Sequence, residues 1–240
     1  MKAPTAVPTH AGFEPEMIAI PEGNFLMGCD KGAASERPVH RVYTSRFALS
    51  RFAVTNRLYR IFVEDASHQA PPGWNDERFN HPDQPVTSVS WFDATLYCMW
   101  LAARTGKAYR LPAEAEWERA ARGGLEGKLY TWGDEPPQEQ PRYKEMWQTG
   151  PERAGQRPPN GFGLYDISEN VHEWCADWYD ERYYQFSPQR DPQGPASGKR
   201  RSSRGGSWRH QIKITRVAAR SSIPPEFKYS DYGFRCAMSL

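Results

Sequence analysis

The chain has 240 residues, enough for one large domain or two small ones and for a substantial buried core. Its hydrophobic share is only 38%, yet it holds nine Trp, twelve Tyr and eleven Phe beside 19 Gly and 21 Pro, which predicts a loop-rich globular fold with large aromatic core pieces. A formal net charge of +2 excludes a global attraction to nucleic acid or to anionic membranes.

In chain order, residues 1–16 are rich in Pro, Thr and Ala and are expected to form a flexible arm, followed by one domain over 17–240. No apolar run suits a signal peptide or a membrane span, so the expected location is cytoplasmic. From Met17 to Gly28 the pattern predicts two short strands around Pro21 and Gly23, and the alternation from Val39 to Phe52 predicts further strand.

Three helices are better marked. Thr55 is the expected N-cap of the first, whose apolar face is Leu58, Tyr59, Ile61 and Phe62. Ser90 and Asp93 read as a capping box for the second, which ends at Gly106. The third places Pro112 in its first turn, Glu114 and Glu116 at the positive end of the dipole, and Gly123 at its end. Beyond Gly124 periodicity fades into turns, short strands and aromatics, and the basic run Lys199-Arg200-Arg201 reads as a solvated loop.

Ten motifs stand in one order along the chain. They include F-L-M-G at 25–28, E-R-P-V-H at 36–40, R-L-P-A-E-A-E-W-E-R-A-A-R-G-G at 110–124, W-G-D at 132–134, N-G-F-G-L-Y-D at 160–166, N-V-H-E-W at 170–174, R-G-G-S-W at 204–208 and G-F-R-C-A at 233–237. Together they resemble the formylglycine-generating enzyme (sulfatase-modifying factor) family from about Met17 to the last residue. The resemblance implies an α+β, C-type-lectin-like fold with three helices, short antiparallel strands and bound calcium. In the family's oxidase members two cysteines after Gly-Gly-Ser-aromatic hold copper. Here that stretch reads Arg209, His210, Gln211, Ile212, Lys213, and no cysteine lies between Cys175 and Cys236. A soft thiolate pair is what would hold Cu(I), so formylglycine generation is not expected.

The resemblance also makes Cys98 and Cys236 neighbours, while Ala121 and Val217 occupy the positions of a second family disulfide. Cys29 and Cys175 read as inert buried thiols. By the same carry-over, Asp166 and Glu173 would give calcium carboxylate oxygens, and Glu169 and Val171 main-chain carbonyls, a set suited to a hard cation. The plainer reading has Asp166 in a turn and Glu173 paired with an arginine. Gly205 and Gly206 are expected to permit a tight backbone path rather than to cradle phosphate.

His172 matches an active-site tryptophan of the family and His210 the first missing cysteine, so both are expected near one cleft. One functional reading is a binding or accessory module with Ser207, Trp208, Arg209, His210 and Arg220 as contacts. The candidate catalytic positions are His172, His210, Ser207 and Arg220. Its partner would be a peptide, a protein or a small molecule, and the chain a monomer or weak oligomer. The alternative is an oxidoreductase without the cysteine–copper centre, in which iron would need His172, His210 and Asp177 or Glu173; neither iron nor copper is expected.

Overall fold

The computed structural model of the chain describes residues 12–137, 150–209 and 215–240. The first hairpin region follows the expected breakers, with β1 (Met17–Ile20) and β2 (Gly23–Met27) on either side of Pro21. The stretch over 39–52 divides into β3 (His40–Thr44) and β4 (Phe47–Ser50). Then come α1 (Asn56–Asp65), α2 (Trp91–Thr105), β5 (Tyr109–Arg110) and α3 (Glu114–Arg122). The rest is β6 (His172–Trp178), β7 (Arg201–Arg204), β8 (Arg220–Ile223), β9 (Tyr232–Gly233) and β10 (Ala237–Ser239).

The strands form an antiparallel sheet in the order β1-β4-β10-β5, the β2-β3 pair, and a sheet in the order β8-β7-β6-β9 whose β6-β9 pairing is parallel. No helix among the described residues is long and apolar enough to cross a membrane.

The helix ends show which local signals carried weight. Ser90 and Asp93 form the expected reciprocal box, with Asp93 Oδ2 accepting the Ser90 N–H at 2.8 Å, and Gly106 closes α2 at φ 70°. Thr55 has N-cap geometry but its side chain makes no capping bond. In α3 the N-cap is Ala113, so Pro112 lies outside the first turn. Alanine offers no acceptor. Asp177 of β6 replaces it from 63 residues away, accepting the Glu114 N–H at 2.8 Å.

Packing is aromatic, as the composition implied. Tyr59 and Tyr97 stack at 5.7 Å, and Phe234 meets Tyr97 edge-on at 5.3 Å. Trp117 and Trp174 are fully buried, whereas Trp91 and Trp100 only flank the core. In this core the sulfurs of Cys98 and Cys236 lie 3.9 Å apart, the neighbours the resemblance implied. The basic run is not a solvated loop throughout, because the Arg201 guanidinium lies between Trp91 and Trp178, 3.8 and 3.5 Å from the ring centroids. Nor is the end of the N-terminal arm loose. Phe13 packs on Trp100, and Glu14 accepts hydrogen bonds from Lys107 and Tyr109.

Beneath α3 lies a buried charge cluster that no single segment contains. Arg204 of β7 is fully buried and donates to Glu118, to Glu114 at 3.5 Å and to the carbonyls of Val217 and Ala218. Arg122 donates to Glu118 at 2.6 Å and Arg220 to both oxygens of Glu114 at 2.7 and 2.9 Å. Burial alone would raise both glutamates. For Glu114, Arg220 and Arg204 outweigh it, and for Glu118, Arg122 and Arg204 do, so both carboxyls are held below their ordinary value. Glu118→Gln, which leaves two buried guanidiniums short of a counter-charge, should cost about 3–5 kcal/mol in urea denaturation.

Asp177 behaves oppositely. Burial first, then the Glu114 carboxylate, pushes its pKa up from 3.8 to about 8. The folded state therefore holds a proton that the unfolded chain has released, and stability falls as pH rises through that interval. The expected result is a declining denaturation midpoint between roughly pH 5 and pH 8, and a visibly flatter profile for Asp177→Asn.

Candidate functional site

β7 leads through Gly205 and Gly206 to Ser207, and this path is sterically demanding. Gly205 has φ +80°, and a Cβ on Gly206 would stand 2.9 Å from Thr215 Cγ2 and 3.2 Å from the Ser168 carbonyl. The Gly206 N–H donates to Ser168 at 2.9 Å and the Trp208 N–H to Asn170 at 2.9 Å, tying the stretch to the loop ahead of β6. The glycines thus permit close backbone approach, as expected.

Asp231 organises the residues after the glycine pair. Ser207 Oγ donates to its Oδ2 at 2.8 Å, Arg209 lies 3.6 Å from its Oδ1, and its carbonyl accepts the His172 N–H at 2.8 Å. Asp231 is only 3% exposed, whereas the Arg209 side chain is 50% exposed. The Trp208 indole donates to Ser230 O at 3.3 Å and its ring packs on Phe79 at 5.9 Å. His172 is buried, its ring 4.9 Å from Tyr232.

Ser207, Trp208, Arg209 and His172 are therefore brought together, and His210 lies outside the described residues. Asp231 was missed by sequence reasoning. Its one sequence signal is a lone acidic residue just ahead of G-F-R-C in an aromatic tail.

Arg220 does not belong to this group. Its side chain is fully covered, bonded to Glu114, Ser35 O and Asp180 O and stacked 4.2 Å over Tyr184, so it offers no surface to a ligand. Cys29 also departs from expectation, being half-buried rather than buried. The Cys175 thiol is buried and pushed well above its ordinary pKa by that burial.

The expected calcium loop is occupied by protein groups. Glu173 receives Arg235 on both oxygens at 2.7 Å and the Trp117 indole at 2.6 Å, which is the arginine pairing of the plainer reading. The Glu169 carbonyl accepts the Val171 N–H at 2.8 Å, and the Glu169 carboxylate lies 2.9 Å from Arg157, which also donates to Glu152 at 2.9 Å. Asp166, at φ 54°, accepts the Gly155 N–H at 2.7 Å, and burial raises its pKa to about 6. Among the described residues no three His, Cys, Asp or Glu side chains converge as a metal group. The Asp166, Glu169 and Glu173 side chains are thus each engaged by protein groups, with Arg157 and Arg235 supplying positive charge to the two glutamates. The same pairings keep Glu173 from joining His172 around iron, and Asp177 is committed to the start of α3.

An α+β scaffold of three helices and mostly antiparallel strands that delivers a Gly-Gly-Ser-Trp turn beside N-V-H-E-W defines a formylglycine-generating-enzyme type of fold. A sulfatase-modifying factor enzyme 1-like domain matches residues 3–240, and the chain belongs to that family. The formylglycine-generating enzyme of Streptomyces coelicolor is 36% identical, covering 92% of this chain and 88% of its own. The serine/threonine-protein kinase pkn1 of Chlamydia pneumoniae is 35% identical over 94% of this chain, which spans only 38% of that relative. Among solved structures, PvdO from Pseudomonas aeruginosa superposes over 100% of both chains with a TM-score of 0.80 at 27% identity.

The charge balance of the loop can be tested directly. Calcium or a chelator should shift the melting temperature by less than about 1 °C, since a ligand that does not bind the native state cannot stabilise it. Arg157→Gln, which leaves Glu169 buried opposite a neutral amide, should cost about 1–3 kcal/mol in chemical denaturation.

Proposed function

We propose that this chain is a binding or accessory member of its family that does not generate formylglycine, and that it holds an acidic, extended peptide segment over Ser207, Trp208 and Arg209. The observation that carries this reading is the composition of the stretch after Ser207. It contains no thiol, and the chain has none between Cys175 and Cys236. Cys98 and Cys236 face each other in the core and are not placed to take over that role.

What remains at the surface suits recognition. Arg209 is half exposed beside the Trp208 ring, 5.9 Å from its centroid, and Asp231 fixes the Ser207 hydroxyl below them. A guanidinium beside an indole is a common anchor for a carboxylate-bearing partner. The relation to the chlamydial kinase supports an accessory role, because the matched part there is a minority of a longer protein. The likeness to the Streptomyces coelicolor enzyme carries the scaffold but does not restore the missing sulfur ligands.

The alternative, a metal-dependent oxidoreductase that works without the cysteine pair, draws on the full-length likeness to PvdO. Elemental analysis of the purified chain separates the two, since stoichiometric iron or copper would favour the enzyme.

The binding reading is tested with an Asp/Glu-rich peptide titrated against tryptophan fluorescence. Arg209→Glu should weaken binding by about tenfold or more, through loss of one charge-assisted contact and gain of a repulsion. Equal binding by wild type and variant, or conversion of a cysteine peptide to formylglycine in the presence of copper, would overturn it.

A further inference from the structure

The described residues also enclose a cavity of about 470 Å³, within the size range of small-molecule sites. Its lining includes none of Ser207, Trp208, Arg209 or His172, so it is a separate site from the peptide surface proposed for those residues. The apolar part is formed by Leu26 of β2, Val39 and Leu129. The walls are held by the buried charge cluster rather than by surface loops alone. The Gly28 N–H donates to Glu118 at 2.8 Å and its carbonyl accepts from Arg122 at 3.0 Å, while the Ala218 carbonyl accepts from Arg204 at 3.3 Å. Gly28 itself could not be replaced without movement, since a Cβ there would meet the Glu36 carbonyl at 2.4 Å. A cavity braced in this way keeps its shape when empty, which lowers the ordering cost of filling it.

Its charges are unequal. Lys128 is 2.8 Å from Asp134, and Arg216 is held by both oxygens of Glu36 at 2.6 and 2.8 Å. Asp30 Oδ1 accepts the Val39 N–H at 2.9 Å. Lys31 also lines the cavity and is exposed; it forms no direct ion pair among the described residues, though its charge, after that of Lys128, helps hold the Asp134 carboxyl below its ordinary pKa. In the lining as a whole Lys31, Lys128 and Arg216 stand against Asp30 and Asp134, so cationic side chains outnumber acidic ones.

We propose that this cavity binds a small organic monoanion, with an apolar body on Leu26, Val39 and Leu129 and its acidic group against Lys31. Such a division, an apolar seat with one orienting charge, is the usual chemistry of a small-molecule pocket.

Cys29 supplies the readout. It lines the cavity and is half-buried, whereas the other three cysteines of the chain are buried at 1% exposure or less. Iodoacetamide should therefore modify native protein at Cys29 alone, as mapped by mass spectrometry. The probe is 1-anilinonaphthalene-8-sulfonate, an apolar body bearing one anionic group, compared with its uncharged relative N-phenyl-1-naphthylamine. Saturating sulfonate should slow Cys29 alkylation by about fivefold or more, and Lys31→Glu should abolish that protection, scored as the ratio of the variant's own rates with and without the sulfonate. Unchanged alkylation with the sulfonate present, equal protection by the uncharged probe, or full protection in Lys31→Glu would each overturn the assignment. Trp208 and Arg209 take no part, so failure of the peptide experiment would leave this result standing.

Discussion

A guanidinium taken wholly out of water must find acceptors in the protein, and Arg204 at the end of β7 imposes that demand on the middle of this fold. It obtains them from two glutamates one turn apart on α3 and from the carbonyls of Val217 and Ala218. Arg122 and Arg220 then balance the glutamates, and Gly28 enters through both its amide groups. The consequence is geometric. Segments from the first hairpin, the third helix and the C-terminal quarter are locked to one another although little regular structure joins them. Charge pairing at this depth contributes little net stability over an apolar core, and what it adds here is a unique alignment of chain segments.

That alignment explains how a turn as constrained as Gly205-Gly206-Ser207 is held. Its N-terminal side is fixed by Arg204 and its C-terminal side resumes at the buried Thr215, against which Gly206 packs with no space for a Cβ.

Much of the fold was legible because the signals were local. The Ser90–Asp93 box, Gly106 and the strand breakers Pro21 and Gly23 act within a few residues, and the structure agrees with them. The misread features depend on partners far away in sequence. Pro112 suggested a first-turn proline, but the acceptor that starts α3 is Asp177. Arg201 belonged to a basic run, yet two tryptophans from α2 and β6 enclose it. Arg220 stood a few residues beyond the candidate stretch and was counted with it, though its strand turns it toward Glu114. Glu173 carried both readings at once, and only the three-dimensional position of Arg235, 62 residues on, distinguishes them.

The candidate site obeys the same logic. Ser207, Trp208 and Arg209 were visible as a run, but the residue that makes them a site is Asp231, which reaches them from the loop before β9. A buried carboxylate that accepts from a serine and lies close to an exposed arginine does two things. It holds the Ser207 hydroxyl as a donor, and it lies 3.6 Å from a terminal nitrogen of the Arg209 guanidinium, whose side chain is half exposed. That arrangement fixes the Ser207 hydroxyl and leaves the Arg209 side chain half open to solvent, which is the geometry the proposed binding reading rests on.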